Sequence, residues 1–274
     1  MKKIFVCGIS ALLLSLQTWA QTDYIHAGKI TFERRTNLEK RFTDQRMKRF
    51  VTEENKIRTE PFALYFNDTA SYFAVVPSNE PEEMAWLTTK NAYYQNLKDG
   101  QQLMMLAVFG QNVYVQDSLP VRSWKITDGK RTICGYECRK AIYQKNDSTR
   151  LYAWYTPMLT PSVGPEGFCG LPGTILGLAT EDGGIVYFAK KIDLVVPKKE
   201  ELLLDSGKNK VFTIAELRQK IEKEYSSDYT RILNKVKLST TEINHWKEVA
   251  DNMYFPYSEE HGVYLQQDGF LDKE

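Results

Sequence analysis

Histidine and cysteine are scarce in this chain: three and four, respectively, among 274 residues. That scarcity restricts metal centres, which draw on these side chains, and leaves no metal site or cofactor to expect. A surplus of either charge is also missing. Lys and Arg total 36 against 35 for Asp and Glu, a formal net charge of +1, so the basic excess that accompanies nucleic-acid binding is absent. Beyond the N-terminus no apolar run approaches the roughly 20 residues of a spanning helix, so no membrane span is expected. The recognisable catalytic signatures are lacking as well. There is no G-x-S-x-G, H-E-x-x-H, calcium loop, dinucleotide glycine pattern or P-loop, and Gly207-Lys208 has no upstream glycine to make a phosphate cradle. No catalytic residue is therefore assigned. A two-carboxylate hydrolase needs no such motif and stays open, although Glu82-Glu83 and Glu181-Asp182 sit in turn-like surroundings.

What is present begins with an address. Lys2 and Lys3 precede an apolar run from Ile4 to Leu16, and Thr18-Trp19-Ala20 closes it with small residues at the cleavage positions. This pattern is that of a secretory signal peptide over residues 1–20. The mature chain, 21–274, is then expected as one β-rich domain that is periplasmic, outer-membrane associated or secreted. Export discards Cys7 and leaves Cys134, Cys138 and Cys169 in a compartment that permits disulfides.

Aromatic residues are plentiful (16 Tyr, 13 Phe and 5 Trp), which favours strands. Residues 28–36 place Ile30, Phe32 and Arg34 on one face and Thr31, Glu33 and Arg35 on the other. Runs at 62–66 and 71–76 flank the turn residues Asn67-Asp68-Thr69 and predict a hairpin. So do 175–178 and 185–189 around Glu181-Asp182-Gly183-Gly184. Further strands are expected at 92–97, 101–108, 112–115, 140–144 and 151–156. Residues 37–55 read as a solvated helix or long hairpin face, with an anion-binding patch as the sharper alternative because of Lys40, Arg41, Arg46, Lys48 and Arg49. Thr213 with Glu216 makes a capping box, and Leu217, Ile221 and Tyr225 follow at four-residue steps, predicting a helix over 213–236 and a helical or irregular part from about 213. The fold class is mainly β (β-rich α+β): a curved antiparallel sheet or half-barrel with one or two accessory helices.

The densest glycine and proline stretch runs from Gly164-Pro165-Glu166-Gly167-Phe168-Cys169 into Gly170-Leu171-Pro172-Gly173. Pro172-Gly173 suits a type II turn. One reading is a rigid corner that closes the sheet, packed by Phe168, Leu171 and Trp154. The other is one wall of a ligand cleft, with Trp154, Tyr155, Phe168 and Leu171 meeting an apolar ligand. One disulfide and one free thiol are expected among the three cysteines. Cys134 and Cys138 are too far apart along a strand to bond unless the chain turns at Gly135, which favours Cys169 as the partner of one of them.

Gly170-Leu171-Pro172-Gly173-Thr174-Ile175 resembles the signature of the GLPGLI family of secreted Bacteroidetes proteins, with Thr174 where the family has leucine. The resemblance extends over most of the mature chain, including 28–33, 133–141, Trp154-Tyr155-Thr156-Pro157 and Gly164-Pro165. The family pattern has a cysteine at the Cys138 position but not regularly at Cys134 or Cys169, so the resemblance implies a Cys134–Cys169 disulfide. It also implies an envelope accessory role beside an outer-membrane transporter or another envelope protein, and a fold similar to lipoprotein-carrier half-barrels and to the front domain of a bacterial peptide N-glycosidase. O-glycan acceptor motifs of that bacterial group match at Thr69, Ser118 and Ser148. The expected function is a non-catalytic secreted envelope binding or accessory protein. The alternatives are a periplasmic hydrolase acting on glycan or peptide, and a purely structural transporter partner.

Overall fold

The computed structural model describes residues 23–42, 48–78, 84–108, 111–144, 150–217 and 219–220. The expected signal peptide, most of the predicted helix over 213–236, and Ser148 lie outside them. The described chain is mainly β, and its strands join one open twelve-stranded sheet. They are β1 (Gly28–Asn37), β2 (Ile57–Phe66), β3 (Ala70–Val75), β4 (Ala92–Asn96), β5 (Gln101–Val108), β6 (Gln111–Ser118), β7 (Trp124–Ile133), β8 (Tyr136–Gln144), β9 (Arg150–Thr156), β10 (Thr174–Thr180), β11 (Ile185–Asp193) and β12 (Val211–Phe212). The spatial order is β12-β6-β5-β4-β3-β2-β1-β11-β10-β9-β8-β7. Neighbours are antiparallel except β12, which runs parallel to β6.

Alternation explains the inner face. Ile30, Phe32 and Arg34 of β1 are buried, as their spacing predicts, opposite Leu64, Phe62 and Glu60 of β2. The sheet also curls. A flat sheet would hold side chains three strand steps apart at about 14 Å, yet the rings of Phe73 on β3 and Tyr187 on β11 lie 5.8 Å apart. It does not close: β12 and β7 remain as edges, so the glycine-proline corner is not a seam.

Local chemistry sets the turns. Asn67 accepts from the backbone N–H of Thr69 and of Ala70 at 2.8 and 2.9 Å, fixing the β2–β3 hairpin. At the β7–β8 turn Cys134 and Gly135 have φ of 49° and 84°, the two positive values of a type I′ turn. The chain therefore reverses where an extended reading had placed one strand. Asn37 caps a single helical turn, α1 (Leu38–Arg41), accepting from the N–H of Glu39 and Lys40. The expected capping box forms: Glu216 accepts from the Thr213 N–H at 2.8 Å and Thr213 Oγ1 accepts from the Glu216 N–H at 3.2 Å, with helix following at 214–217.

Between β9 and β10 the chain makes a long excursion, 157–173, that leaves and returns at the paired residues Thr156 and Thr174. It dives into the hollow of the sheet, and every residue of 163–169 is buried. Its return differs from a type II turn. The Thr174 N–H donates to Leu159 O at 2.9 Å, while the Gly173 N–H reaches Leu171 O at 2.8 Å, a γ-turn around Pro172. Gly173 has φ 137°, and a Cβ there would fall 2.1 Å from Thr156 O. Gly135 also has positive φ, but open space around it. Gly135→Ala should therefore lose about 1–2 kcal/mol, and Gly173→Ala more than about 4 kcal/mol. Urea unfolding of both variants checks this, and equal losses would contradict the close approach.

Candidate functional site

The buried loop is held by charge. Arg34, 1% exposed, donates from Nε and Nη2 to Glu60 Oε2 at 3.1 and 2.7 Å. It also donates from Nη2 to the Thr89 carbonyl at 2.7 Å and from Nη1 to Tyr187 Oη at 3.3 Å. Tyr187 in turn donates to Glu166 Oε1, so the loop's carboxylate is tied through β11 to the guanidinium on β1. Glu166 takes a left-handed backbone, φ 53°, which a non-glycine residue keeps when its surroundings over-determine it. Thr88 Oγ1 donates to Glu60 Oε1 at 2.6 Å, Phe62 lies 4.6 Å beneath the guanidinium, and Gln95 Nε2 donates to Gly167 O at 2.8 Å.

Burial alone would raise the Glu60 carboxyl, but Arg34, Thr88 and Lys90 together hold it below its ordinary 4.5. Burial is also the main cause that lowers Lys90. Sequence alternation puts Arg34 on the inner face, but nothing local names Glu60, Tyr187 or Glu166 as its partners.

Where the loop meets the rim of the sheet it forms a cleft of about 570 Å³. Its apolar wall is Leu97, Leu119 and Pro161, and its polar side is His26, Asp68, Thr160 and Ser162. His26 Nδ1 sits 2.9 Å from Asp68 Oδ1 and 3.2 Å from Thr160 Oγ1. Ser162 Oγ accepts from the Gly170 N–H at 2.7 Å, which shapes the floor. Cys169 also lines the cleft; its sulfur lies 3.4 Å from Arg122 Nη1, whose guanidinium stacks 4.5 Å over Phe168. The arrangement can hold a small molecule with an apolar body and a hydrogen-bonding end. Among the described residues no group of three or more His, Cys, Asp or Glu comes together to hold a metal ion, and no helix is long and apolar enough to cross a membrane.

The residues singled out from sequence are not brought together as one ligand wall. Trp154 and Tyr155 are consecutive in β9 and so face opposite ways. Tyr155, Phe168 and Leu171 are buried core residues, filling the hollow in which an apolar ligand was expected. Trp154 lies on the outer face, half-buried, with the Arg131 guanidinium 4.9 Å over its ring. Gly164 and Pro165 are buried, and Gly170 and Pro172 are exposed. Of the glycan-acceptor positions, the Thr69 hydroxyl donates to Asn67 Oδ1 and Ser118 is exposed. His26 and Asp68, 42 residues apart, carry no signal in sequence, because a hairpin and the N-terminal segment meet only in the fold.

Cys134, Cys138 and Cys169 are free thiols. Burial pushes the Cys138 thiol up to about 12. The expected Cys134–Cys169 bond does not form, because β7 separates the two. Trp124, at its start, donates to the Cys169 carbonyl at 3.0 Å, whereas Cys134 follows its last residue and donates to Ala189 O. Along β8, from Tyr143 opposite Trp124 to Tyr136 opposite Ile133, that is roughly 20 Å, against a reach of about 7 Å for a disulfide.

Residues 207–274 match the model of the glycosyl hydrolase family 65 central catalytic domain. The α,α-trehalose phosphorylase of Thermoanaerobacter brockii is 42% identical over 59 residues, which is 22% of this chain and 8% of that protein. The kojibiose phosphorylase of Halothermothrix orenii is 41% identical over 44 residues, 16% of this chain and 6% of that one. The chain thus spans less than a tenth of the length of either relative. A structure of PNGF-II is similar at a TM-score of 0.47 and 16% identity, covering 69% of this chain and 31% of that one.

Two outcomes follow. Glu60→Gln leaves Arg34 buried without its counter-charge and should cost roughly 3–5 kcal/mol at neutral pH. Because the folded carboxyl titrates below its unfolded value, its contribution is present above about 4.5 and is lost as pH falls through the folded value. The gap between wild type and variant should therefore narrow on acidification, as read by denaturant unfolding across pH; a constant gap would contradict the charge assignment. Non-reducing peptide mapping should find no Cys134–Cys169 link, and recovery of that crosslinked peptide would contradict the separation.

Proposed function

We propose that the chain is an exported, non-catalytic envelope binding or accessory protein, and that the rim cleft beside His26 and Asp68 is its binding site. The observation that supports this is the cleft itself. Its volume, about 570 Å³, falls within the range of small-molecule sites, and it pairs an apolar shelf with a convergent polar edge. The buried network behind it holds one wall in place, so little ordering is required on binding. The signal-like N-terminus and the GLPGLI-like segments support an envelope setting and an outer-membrane transporter as partner. Native mass spectrometry of protein recovered from its own cell envelope tests the site. Leu119→Trp fills the shelf and should lower occupancy by a co-purifying small molecule about tenfold or more, a loss of roughly 1.4 kcal/mol, with the unfolding midpoint unchanged. Equal occupancy in both proteins excludes the cleft.

A second reading is favoured by the match over 207–274. A segment similar to a glycosyl hydrolase domain and to two disaccharide phosphorylases supports a link to carbohydrate, and with it the alternative of an enzyme acting on glycan. Incubating the full chain with α,α-trehalose and inorganic phosphate tests that reading. Release of a sugar phosphate supports it, and none at high enzyme concentration removes phosphorolysis.

A further inference from the structure

The outer face of the sheet carries a row that neither the core nor the cleft uses. Its register is Lys29 (β1), Tyr65 (β2), Tyr72 (β3), Tyr94 (β4), Leu103 (β5) and Gln116 (β6), each directly opposite the next. Their alternate neighbours Leu64, Phe73, Tyr93, Met104 and Val115 fill the inner face, so these six point outward. The three tyrosines are half-buried and Gln116 is exposed. On one side of the row, one pair further along, Ala63 faces Ala74. The short 3-10 helix Lys199–Leu202 lies against β2 and β3, with Glu201 within electrostatic reach of Lys29. On the other side, Gln101 sits opposite Ser118 and Asn96. The result is an aromatic strip over β2 to β4 with Lys29 at its β1 end, the Lys29 Nζ 5.0 Å over the Tyr65 ring, and with amide and hydroxyl side chains along one side.

We infer that this strip binds a linear neutral glucan, lying across the strands with successive sugar faces on Tyr72 and Tyr94. Adjacent strands set the tyrosines about 4.8 Å apart, close to the repeat of a pyranose in an extended chain. Aromatic faces supply apolar contact at low entropy cost, and phenol, amide and hydroxyl groups supply hydrogen bonds to sugar hydroxyls. From Tyr72 to Gln116 the row itself has no charged member, which fits a neutral polymer better than an acidic one. The preference for a sugar over another flat ligand rests on the carbohydrate reading of 207–274. Burial raises the Tyr72 phenol, with Tyr114 and Tyr65 adding to the shift, so it remains a hydrogen-bond donor at physiological pH.

Titration calorimetry of the full chain with maltoheptaose and with cellohexaose tests the inference. Binding of the first assigns an α-linked glucan and binding of the second a β-linked one; either supports the strip. Tyr72→Ala and Tyr94→Ala should each weaken binding about tenfold, while Tyr72→Phe, which keeps the ring, stays within about threefold. Leu119→Trp should leave this binding unchanged, which separates the strip from the cleft, and the trehalose assay reads catalysis independently of both. Carbene footprinting of the wild-type protein should show glucan-dependent protection of the peptides bearing Tyr72 and Tyr94, even if an alanine variant fails to fold. No binding of either glucan at millimolar concentration, or binding that both alanine variants leave intact, overturns the inference.

Discussion

A guanidinium on the inner face of a β-sheet must be neutralised or it does not stay there. Arg34 is almost fully buried, and four separate parts of the chain answer it: Glu60 on β2, the Thr88–Thr89 backbone and hydroxyl before β4, Tyr187 on β11, and through Tyr187 the Glu166 carboxylate. A hydrophobic residue at position 34 would fill the same space without specifying which neighbours approach. The ion pair and its relay specify them, because every misplacement leaves a buried charge or a polar atom without its partner. The network thus joins the middle strands of the sheet to the loop that enters its hollow.

Once that loop is inside, the concave face is no longer open to a ligand. Phe168, Leu171 and Val163 occupy it, packed with the inward residues of the sheet. Two other surfaces are left for the binding proposed above. One is the rim, where the ends of the loop meet the N-terminal segment and the hairpin turns to make the cleft. The other is the outer face, where tyrosines that the core does not need stand in register. The same small residues serve both the loop and its surroundings. Gly173 lets the returning strand pass against Thr156, and Gly164, in extended conformation, lies so close to Ile175 that a Cβ would fall 2.7 Å from the isoleucine Cβ.

The region after β11 has a different character. It crosses the outer face over β2 and β3 and adds β12 at the far edge, parallel to β6. The stretch similar to a glycosyl hydrolase domain begins at 207, just before that added strand. Its first described residues are therefore anchored to the sheet by main-chain pairing, with Leu217 contributing to the core cluster.

What the sequence determined by itself is what local physics can reach. Strand-like alternation and composition placed ten of the twelve described strands, missing β7 and β12, and even the inward face of Arg34. Asn67 and the Glu181–Gly184 stretch placed two hairpins, and Thr213 with Glu216 placed a helix start, because a turn or a cap is built from atoms a few residues apart. The tertiary structure decided everything that depends on separated segments meeting. The partners of Arg34 lie 26, 55 and 153 residues away. Pro172-Gly173 turns more tightly than its dipeptide predicts because Leu159 takes the N–H of Thr174. Trp154 and Tyr155, adjacent in sequence, end on opposite faces of the sheet, and Cys134 and Cys169 lie toward opposite ends of β7. Composition already limited metal and Cys- or His-based chemistry; the fold placed His26 against Asp68, because their encounter depends on how a curled sheet folds its own loop inward.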